Sequence, residues 1–272
     1  MSQSLSSMVK DSVRSLIPYG FIERHRRQFR LTRLGLPPTP RHLEAIEACR
    51  YELWPKFLRD KSRPWSLVDV GANEGDFVEA VTTLANVPVA YAIEPQPACH
   101  ERLRSRLDNV AQGTLVPKAV GDHNGVIPFN ITRHSKMASV LRPAPEVRTD
   151  YQEGAFDITE QVDVPIVTLD HELNELRDVG LLKLDVQGFE REVLAGATSL
   201  LQRTKAVLME VNYVPHYEAG ATFDEVYMML RDSGFVLSGV SAPYGSCQDG
   251  PLWADAMFVQ TSCASRQSVS KS

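Results

Sequence analysis

The feature that most constrains this chain is residues 66–77, Ser66-Leu-Val-Asp-Val-Gly-Ala-Asn-Glu-Gly-Asp-Phe77, where a short apolar run stops abruptly at two glycines. Leu67, Val68 and Val70 enclose Asp69 in a segment of nearly continuous apolar character, the pattern of a strand buried on both faces. Phe77, Val78, Val81 and Leu84 then recur at helical spacing. A strand that becomes a helix through Gly71 and Gly75 lets a ligand approach the backbone closely, because glycine has no Cβ and tolerates positive φ. In an open α/β sheet, helix N-termini and the carboxyl ends of parallel strands meet at such turns to form the ligand crevice. The stretch therefore reads as a cofactor site.

The remainder of the chain supports a parallel sheet. Strand-like runs at residues 87–93, 114–120, 162–167, 181–186 and 206–211 are interleaved with helical patterns at 98–107, 190–201 and 223–230. Residues 126–131 form a further extended piece. Two last strands, 235–240 and 254–259, are joined by a turn-rich loop instead of a helix, which implies one antiparallel strand at the sheet edge. Upstream, Thr39 is placed as an N-cap and Pro40 as the first residue of a helix whose apolar stripe includes Leu43, Ile46, Leu53, Trp54, Phe57 and Leu58. Pro55 should kink or end that helix. Residues 132–161 lack periodicity, as expected of a lid, a substrate loop or disorder.

At 272 residues and 43% hydrophobic composition, the chain supports one substantial core. The expected division is an N-terminal helical extension over 1–60, a catalytic domain over 61–261 and a disordered tail over 262–272. Helical patterns at 5–17 and 21–34 lie in a basic arm, residues 1–36, with seven basic residues against Asp11 and Glu23. Such an arm suits a solvated helix face or contact with nucleic acid, an anionic membrane or an acidic partner. No apolar run is long enough to span a bilayer, and no basic stretch followed by an apolar one marks a secretory leader. Cys49, Cys99, Cys247 and Cys263 form no CxxC pair, which argues against zinc or a disulfide framework and favours a reduced, cytoplasmic setting.

Spacing narrows the cofactor. The turn gives D-x-G-x-x-x-G with Asp69 inside the strand, not the G-x-G-x-x-G of nicotinamide enzymes. Glu94 follows Gly75 by nineteen residues, at the end of the second strand, where a carboxylate can accept both hydroxyls of a ribose. Asp122 ends the third strand. One acid at each consecutive strand end suits a nucleoside with a cationic group, such as S-adenosylmethionine. A nicotinamide-dependent oxidoreductase and a non-catalytic nucleoside-binding module are the competing classes.

Six motifs occur in order: Val68-Asp-Val-Gly-Ala-Asn-Glu-Gly75, Ala92-Ile-Glu-Pro95, Lys118-Ala-Val-Gly-Asp122, Val167-Thr-Leu-Asp170, Leu182-Lys-Leu-Asp-Val-Gln-Gly-Phe-Glu190 and Leu208-Met-Glu210. With these the chain resembles the FkbM-type S-adenosylmethionine-dependent methyltransferases over about residues 66–211. The resemblance implies the class I methyltransferase fold, a seven-stranded, Rossmann-like, mostly parallel sheet with its seventh strand antiparallel. It puts the cofactor's methionine part over Asp69, Gly71, Ala72, Asn73 and Gly75, the ribose on Glu94 beside Pro95, and the adenine near Val120 and Asp122. Ser139 falls where the family has a serine-rich loop lining the cofactor pocket, and Gln187 stands where the family commonly has Glu.

The transferred methyl sits on an activated sulfonium, so the protein must align a nucleophile and accept its proton. Asp185, Glu210 and His216 are the candidate bases, with Asp185 also facing the methyl group. Asp185, Glu210 and Asn212, at adjacent strand ends, would alternatively hold Mg²⁺ and lower the pKa of a bound hydroxyl. Lys183, in a buried strand, is expected to pair with an acid, and Trp54, Trp65 and Trp253 to serve packing. The family implies O-methylation. The expected acceptor is a carbohydrate or glycan hydroxyl, then one of a polyketide or other secondary metabolite. No nucleic-acid partner is expected, and the basic arm would meet a membrane or a glycan-assembly complex.

Overall fold

The structure, a computed structural model, describes residues 39–145, 154–245 and 250–263. The helices expected over 5–17 and 21–34, the basic arm, Cys247 and the tail beyond Cys263 lie outside the described residues.

The chain enters through α1 (Pro40–Ala48), where the Thr39 hydroxyl accepts from the His42 amide and Pro40 occupies the first turn as expected. The helix ends earlier than its apolar stripe suggested. Arg50 takes a left-handed φ of 50°, a single turn of 3₁₀ helix covers Tyr51–Leu53, and Pro55 caps the short α2 (Lys56–Arg59). The stripe therefore belongs to three pieces. These still bury Cys49, Tyr51, Trp54 and Leu58 in the core shared with the main sheet.

The alternation predicted from residue 66 onward is present: β1 (Ser66–Val70), α3 (Asp76–Leu84), β2 (Val89–Ile93), α4 (His100–Leu107), β3 (Gln112–Val116) and β4 (Ala119–Val120). There follow β5 (Gly125–Thr132), β6 (Ile158–Val167), α5 (Leu169–Glu172), β7 (Val179–Leu184), α6 (Glu190–Ala195), α7 (Thr198–Leu201), β8 (Thr204–Asn212), α8 (Phe223–Asp232), β9 (Phe235–Val240) and β10 (Trp253–Gln260). Seven strands form one sheet in the order β3-β2-β1-β7-β8-β10-β9. β10 runs antiparallel to both β8 and β9, so the antiparallel strand lies one place in from the rim that β9 occupies.

Two expectations change. The run 114–120 is not one strand: β3 ends at Val116, and Ala119–Val120 joins β5 and β6 in a separate three-stranded sheet, β4-β6-β5. The helix expected over 190–201 breaks at Gly196, where a Cβ would come within 2.0 Å of the Gly121 carbonyl oxygen.

Both faces of the main sheet are covered, which explains the continuous apolar strands. Leu67, Leu181, Leu208 and Met257 pack with Trp54, Val78, Val81, Leu84 and Leu103 from the α1, α3 and α4 side. On the opposite face, Val68, Leu182, Val207 and Phe258 meet Ile166 of the small sheet and Val193, Leu200, Val226 and Leu230 of α6, α7 and α8. Each fully buried Leu or Phe contributes roughly 1.5–3 kcal/mol over its exposed state. This double cover leaves the carboxyl ends of β1, β2, β7 and β8 as the open edge.

Candidate active site

The Asp69 side chain projects from β1 into the face that carries Leu67, fully buried, and Lys183 lies directly opposite on β7. The Lys183 ammonium stands 3.2 Å from Asp69 Oδ1, 3.3 Å from Asp185 Oδ2 and 3.3 Å from the Gly71 carbonyl to which it donates. It also sits 5.4 Å from the centroid of the Phe77 ring. Burial disfavours the charged amine, but the two carboxylates outweigh it and hold Lys183 above its ordinary pKa. Burial pushes the Asp69 carboxyl upward against the pull of Lys183. The ammonium thus ties together the turns after β1 and β7.

Those turns touch. A Cβ on Gly71, whose φ is +75°, would lie 1.9 Å from the Asp185 carbonyl oxygen. The glycine is required by the neighbouring strand end as well as by its left-handed backbone. Gly75 (φ +88°) instead clears Leu103 and Arg106 of α4. Asn73, also left-handed at φ 47°, turns its amide toward Glu94.

Glu94, at the end of β2, is buried, and its two carboxylate oxygens each accept a backbone N–H: Oε2 from Asn73 (2.8 Å) and Oε1 from Gln96 (2.9 Å). Burial raises its pKa against these hydrogen bonds. The Gln96 side chain reaches the Ser135 carbonyl, and the Tyr217 hydroxyl lies within hydrogen-bond distance of the Met137 carbonyl (2.9 Å) and Gln187 Oε1 (2.8 Å). A 3₁₀ turn, Ser135–Met137, is thereby held over the strand ends. Gln187 Nε2 donates to Asp185 Oδ1 at 2.7 Å.

Together these elements enclose a cavity of about 370 Å³. Val70, Gly71, Ala72, Asn73 and Phe77 line it from the β1–α3 unit, Ile93, Glu94, Pro95 and Gln96 from the end of β2, and Lys118, Ala119 and Val120 from the β3–β4 region. Phe129, Ala138, Val140 and Phe189 complete an apolar wall around Val120. Lys183, Asp185, Gln187, Glu210 and Trp253 make the opposite, polar side. Glu210 finds no hydrogen-bond partner among the described residues, and burial, followed by the negative charges of Asp185, Glu190 and Asp255, raises its pKa well above the usual carboxylate range.

The Methyltransferase FkbM domain model matches residues 69–237, more than half of the chain and all of the cavity lining except Ala48 and Trp253. The chain belongs to the FkbM methyltransferase family. It is 26% identical over 160 residues to the 2-O-methyltransferase NoeI of Sinorhizobium fredii, covering 56% of this chain and 65% of that protein. It is 30% identical over 152 residues to the hexuronic acid methyltransferase AglP of Haloferax volcanii, covering 54% and 55%. The 31-O-demethyl-FK506 methyltransferase FkbM of Streptomyces tacrolimicus is 26% identical over 204 residues, covering 66% and 76%. The matched region thus spans less than two thirds of the length of the first two relatives. The strand order, with β10 antiparallel, is the class I methyltransferase topology.

Within this FkbM domain, the cavity gathers Gly71, Ala72, Asn73, Glu94, Pro95, Val120, Asp185 and Glu210 from the residues expected to form the site. Six others, Asn212 among them, lie off its lining. Asp69 is sealed in the Lys183 ion pair, and Gly75 serves helix packing. Asp122 is half exposed and bonded to His123, because the chain has already turned away from the pocket after β4. Ser139 is buried and donates to the Gln187 carbonyl while accepting from the Leu141 amide, a tie that positions the loop beneath the cavity. His216 Nδ1 pairs with Asn212 Oδ1 at 2.7 Å behind the strand end, and burial lowers its pKa.

That last contact also bears on the metal. Asn212 is turned to His216, the cation beside Asp185 is the Lys183 ammonium, and among the described residues no group of three or more His, Cys, Asp or Glu is set to hold an ion. The residues present do not fit Mg²⁺ held by Asp185, Glu210 and Asn212.

Trp54 and Trp65 pack edge to face in the core as expected, whereas Trp253 lines the cavity. Gln96, Phe129, Met137, Phe189, Gln187 and Tyr217 were not singled out as site residues from the sequence. Gln187 and Phe189 did lie inside a recognised motif, but the others carry no local pattern. The other motif acids are structural: Asp170 accepts from the Ser199 and Leu200 amides at the start of α7, and Glu190 accepts from the Val186 and Gly188 amides.

Proposed function

We infer that this chain is an S-adenosylmethionine-dependent methyltransferase acting on a hydroxyl, and that the hydroxyl belongs to a carbohydrate or glycan intermediate. The observation that carries the reading is a single cavity with two chemically different ends: Glu94 beside an apolar wall, and beside Asp185 the Glu210 carboxyl, which has no hydrogen-bond partner among the described residues. The fit to the cofactor rests on lone pairs. Each Glu94 oxygen has accepted one N–H, and a carboxylate offers about four acceptor sites, so one site per oxygen is left for the two hydroxyls of a ribose.

Val120, Phe129 and Phe189 would hold the adenine, and the Gly71–Asn73 backbone would flank the methionine part. When bound, S-adenosylmethionine supplies a methyl group already activated on sulfur. Asp185 provides negative charge for the cationic part and is itself fixed by Gln187 and Lys183. Its oxygens are engaged, whereas Glu210 has no hydrogen-bond partner among the described residues, so Glu210 is the residue that would take the hydroxyl proton. A base with an upward-shifted pKa is better matched to proton transfer near neutral pH. The names of the NoeI and AglP relatives support an oxygen on a sugar. A polyketide or other secondary-metabolite hydroxyl is the second reading, favoured by the relative named for 31-O-demethyl-FK506.

Calorimetry and thermal shift with S-adenosylhomocysteine test the cofactor. Binding is expected, and absence of both heat and shift overturns the reading. Glu94→Ala should weaken that binding by roughly 100-fold or more, from two charge-assisted hydrogen bonds of about 1.5–3 kcal/mol each. Glu210→Gln should bind S-adenosylhomocysteine like the parent protein and lose methyl transfer, and full activity would remove Glu210 as the base.

A further inference from the structure

A second cavity of about 340 Å³ adjoins the first and shares Ala48, Phe77, Lys183, Asp185, Glu210 and Trp253 with it. Its outer wall is made by Glu47 of α1, by Arg50 and by Asp255 of β10. Asp255 and Glu210 are direct cross-strand partners, so their side chains share one face of the sheet. The Trp253 ring is stacked on Tyr244, with centroids 5.3 Å apart and an interplanar angle of 21°. Its position where the two cavities meet gives an aromatic surface beside the Glu210 carboxyl.

The charges in this space are unevenly committed. Arg50 donates to Asp255 Oδ2 at 2.5 Å, and Lys183 is shared between Asp69 and Asp185, so both cations that line the cavity among the described residues are already paired. On the neighbouring cavity, Lys118 is paired with Glu172 and Lys136 with Asp76. The acids are in excess, and burial together with that excess holds the Glu210 carboxyl above its ordinary pKa. A ligand carboxylate entering here would face Asp185 and Glu210 with every nearby cation engaged, whereas a hydroxyl or an ammonium would not.

We propose that the second cavity is the acceptor subsite, and that it takes an uncharged or amino-bearing polyhydroxylated ring against Trp253 while rejecting a ring that carries a carboxylate. The proposal rests on the methyltransferase reading and adds to it the charge class of the acceptor. It separates this chain from the acid substrate in the name of the AglP relative. Arg50 and Asp255 act as a specificity pair: while Asp255 holds the guanidinium, no cation is offered to an anionic ring.

The test uses the full chain with methyl-labelled S-adenosylmethionine and matched methyl glycosides of glucose, glucosamine and glucuronic acid, together with the galacto-configured trio. The neutral or amino member of each trio should exceed the uronate in kcat/KM by roughly 100-fold, the scale of like-charge discrimination at an interface. Asp255→Asn, checked for intact S-adenosylhomocysteine binding, should narrow that ratio about tenfold by releasing Arg50. A uronate preferred by the parent protein, or a ratio unchanged in Asp255→Asn, overturns the subsite while leaving the glycan reading intact. Transfer to none of the six rings, with S-adenosylhomocysteine binding preserved, overturns the glycan reading and this proposal with it.

Discussion

Gly71→Ala and Gly75→Ala separate two reasons for a glycine in what looks like one motif. Both positions are left-handed, at φ +75° and +88°, and an alanine there costs about 1–2 kcal/mol for its backbone alone. The surroundings then differ. At Gly71 the new Cβ falls 1.9 Å from the Asp185 carbonyl oxygen, so the backbone of one of the two turns must move by about 1.1 Å to reach even a 3.0 Å contact. Overpacking of this kind adds about 1–3 kcal/mol. At Gly75 the nearest atom is the Leu103 Cδ1 methyl at 2.8 Å, the end of a flexible side chain that can rotate away. The expected losses are therefore about 2–5 kcal/mol for Gly71→Ala and about 1–2 kcal/mol for Gly75→Ala. For a domain of this size 1 kcal/mol corresponds to about 2–4 °C in Tm. Urea denaturation followed by circular dichroism measures both, and S-adenosylhomocysteine titration should show Gly71→Ala weakened beyond Gly75→Ala because Asp185 is displaced. Equal losses in the two variants would refute the close approach of the β1 and β7 turns.

Other outcomes follow from the buried charges. Lys183→Met leaves Asp69 uncompensated and should cost about 3–5 kcal/mol of unfolding free energy, while Lys183→Met with Asp69→Asn should recover most of it; a double variant no more stable than the single would refute the pairing. Glu190 is buried among acids, and burial raises its carboxyl from 4.5 to about 7. The folded state therefore holds that proton more tightly than the unfolded state, and its stabilising contribution, full below about pH 4.5, is lost as pH rises toward 7. Relative to the parent protein, Glu190→Gln should gain about 3 kcal/mol across that window in denaturation series, and a pH-independent difference would contradict the assignment. Deleting residues 1–36 should abolish binding to anionic vesicles, at about 1 kcal/mol per basic residue near the surface, without affecting S-adenosylhomocysteine binding; vesicle binding unchanged by the deletion would remove the arm from that role.

Much of the architecture was legible because it rests on local chemistry. The β1–α3 turn, the Thr39 cap, the alternation of strands with helices and the final strand pair all follow from apolar periodicity and from glycine and proline positions within a few residues. Glu94 was legible for the same reason, since a carboxylate at the end of a strand beside that turn has few other places to be. The boundaries that shifted were those decided by distant contacts. Gly196 breaks a helix because the Gly121 carbonyl lies against it, and Ala119–Val120 leaves the third strand because β6 offers a new ladder.

The site divides along the same line. The sequence alone determined that acids stand at successive strand ends and that Lys183 needs a partner, because an unpaired buried ammonium is too costly. Only the tertiary structure decided which acids line the cavity. Asp69 turns into the core to neutralise Lys183, and Asp122 swings out to solvent with the small sheet. Among the described residues Glu210 is left without a hydrogen-bond partner beside Asp185, and Arg50, just after α1, reaches Asp255 on the last strand, 205 positions away in the chain. The physical reason is range. Periodicity and capping act over one or two turns, whereas a carboxylate's role depends on the charges and free space around it, and these arrive from segments that meet only when both faces of the sheet are covered.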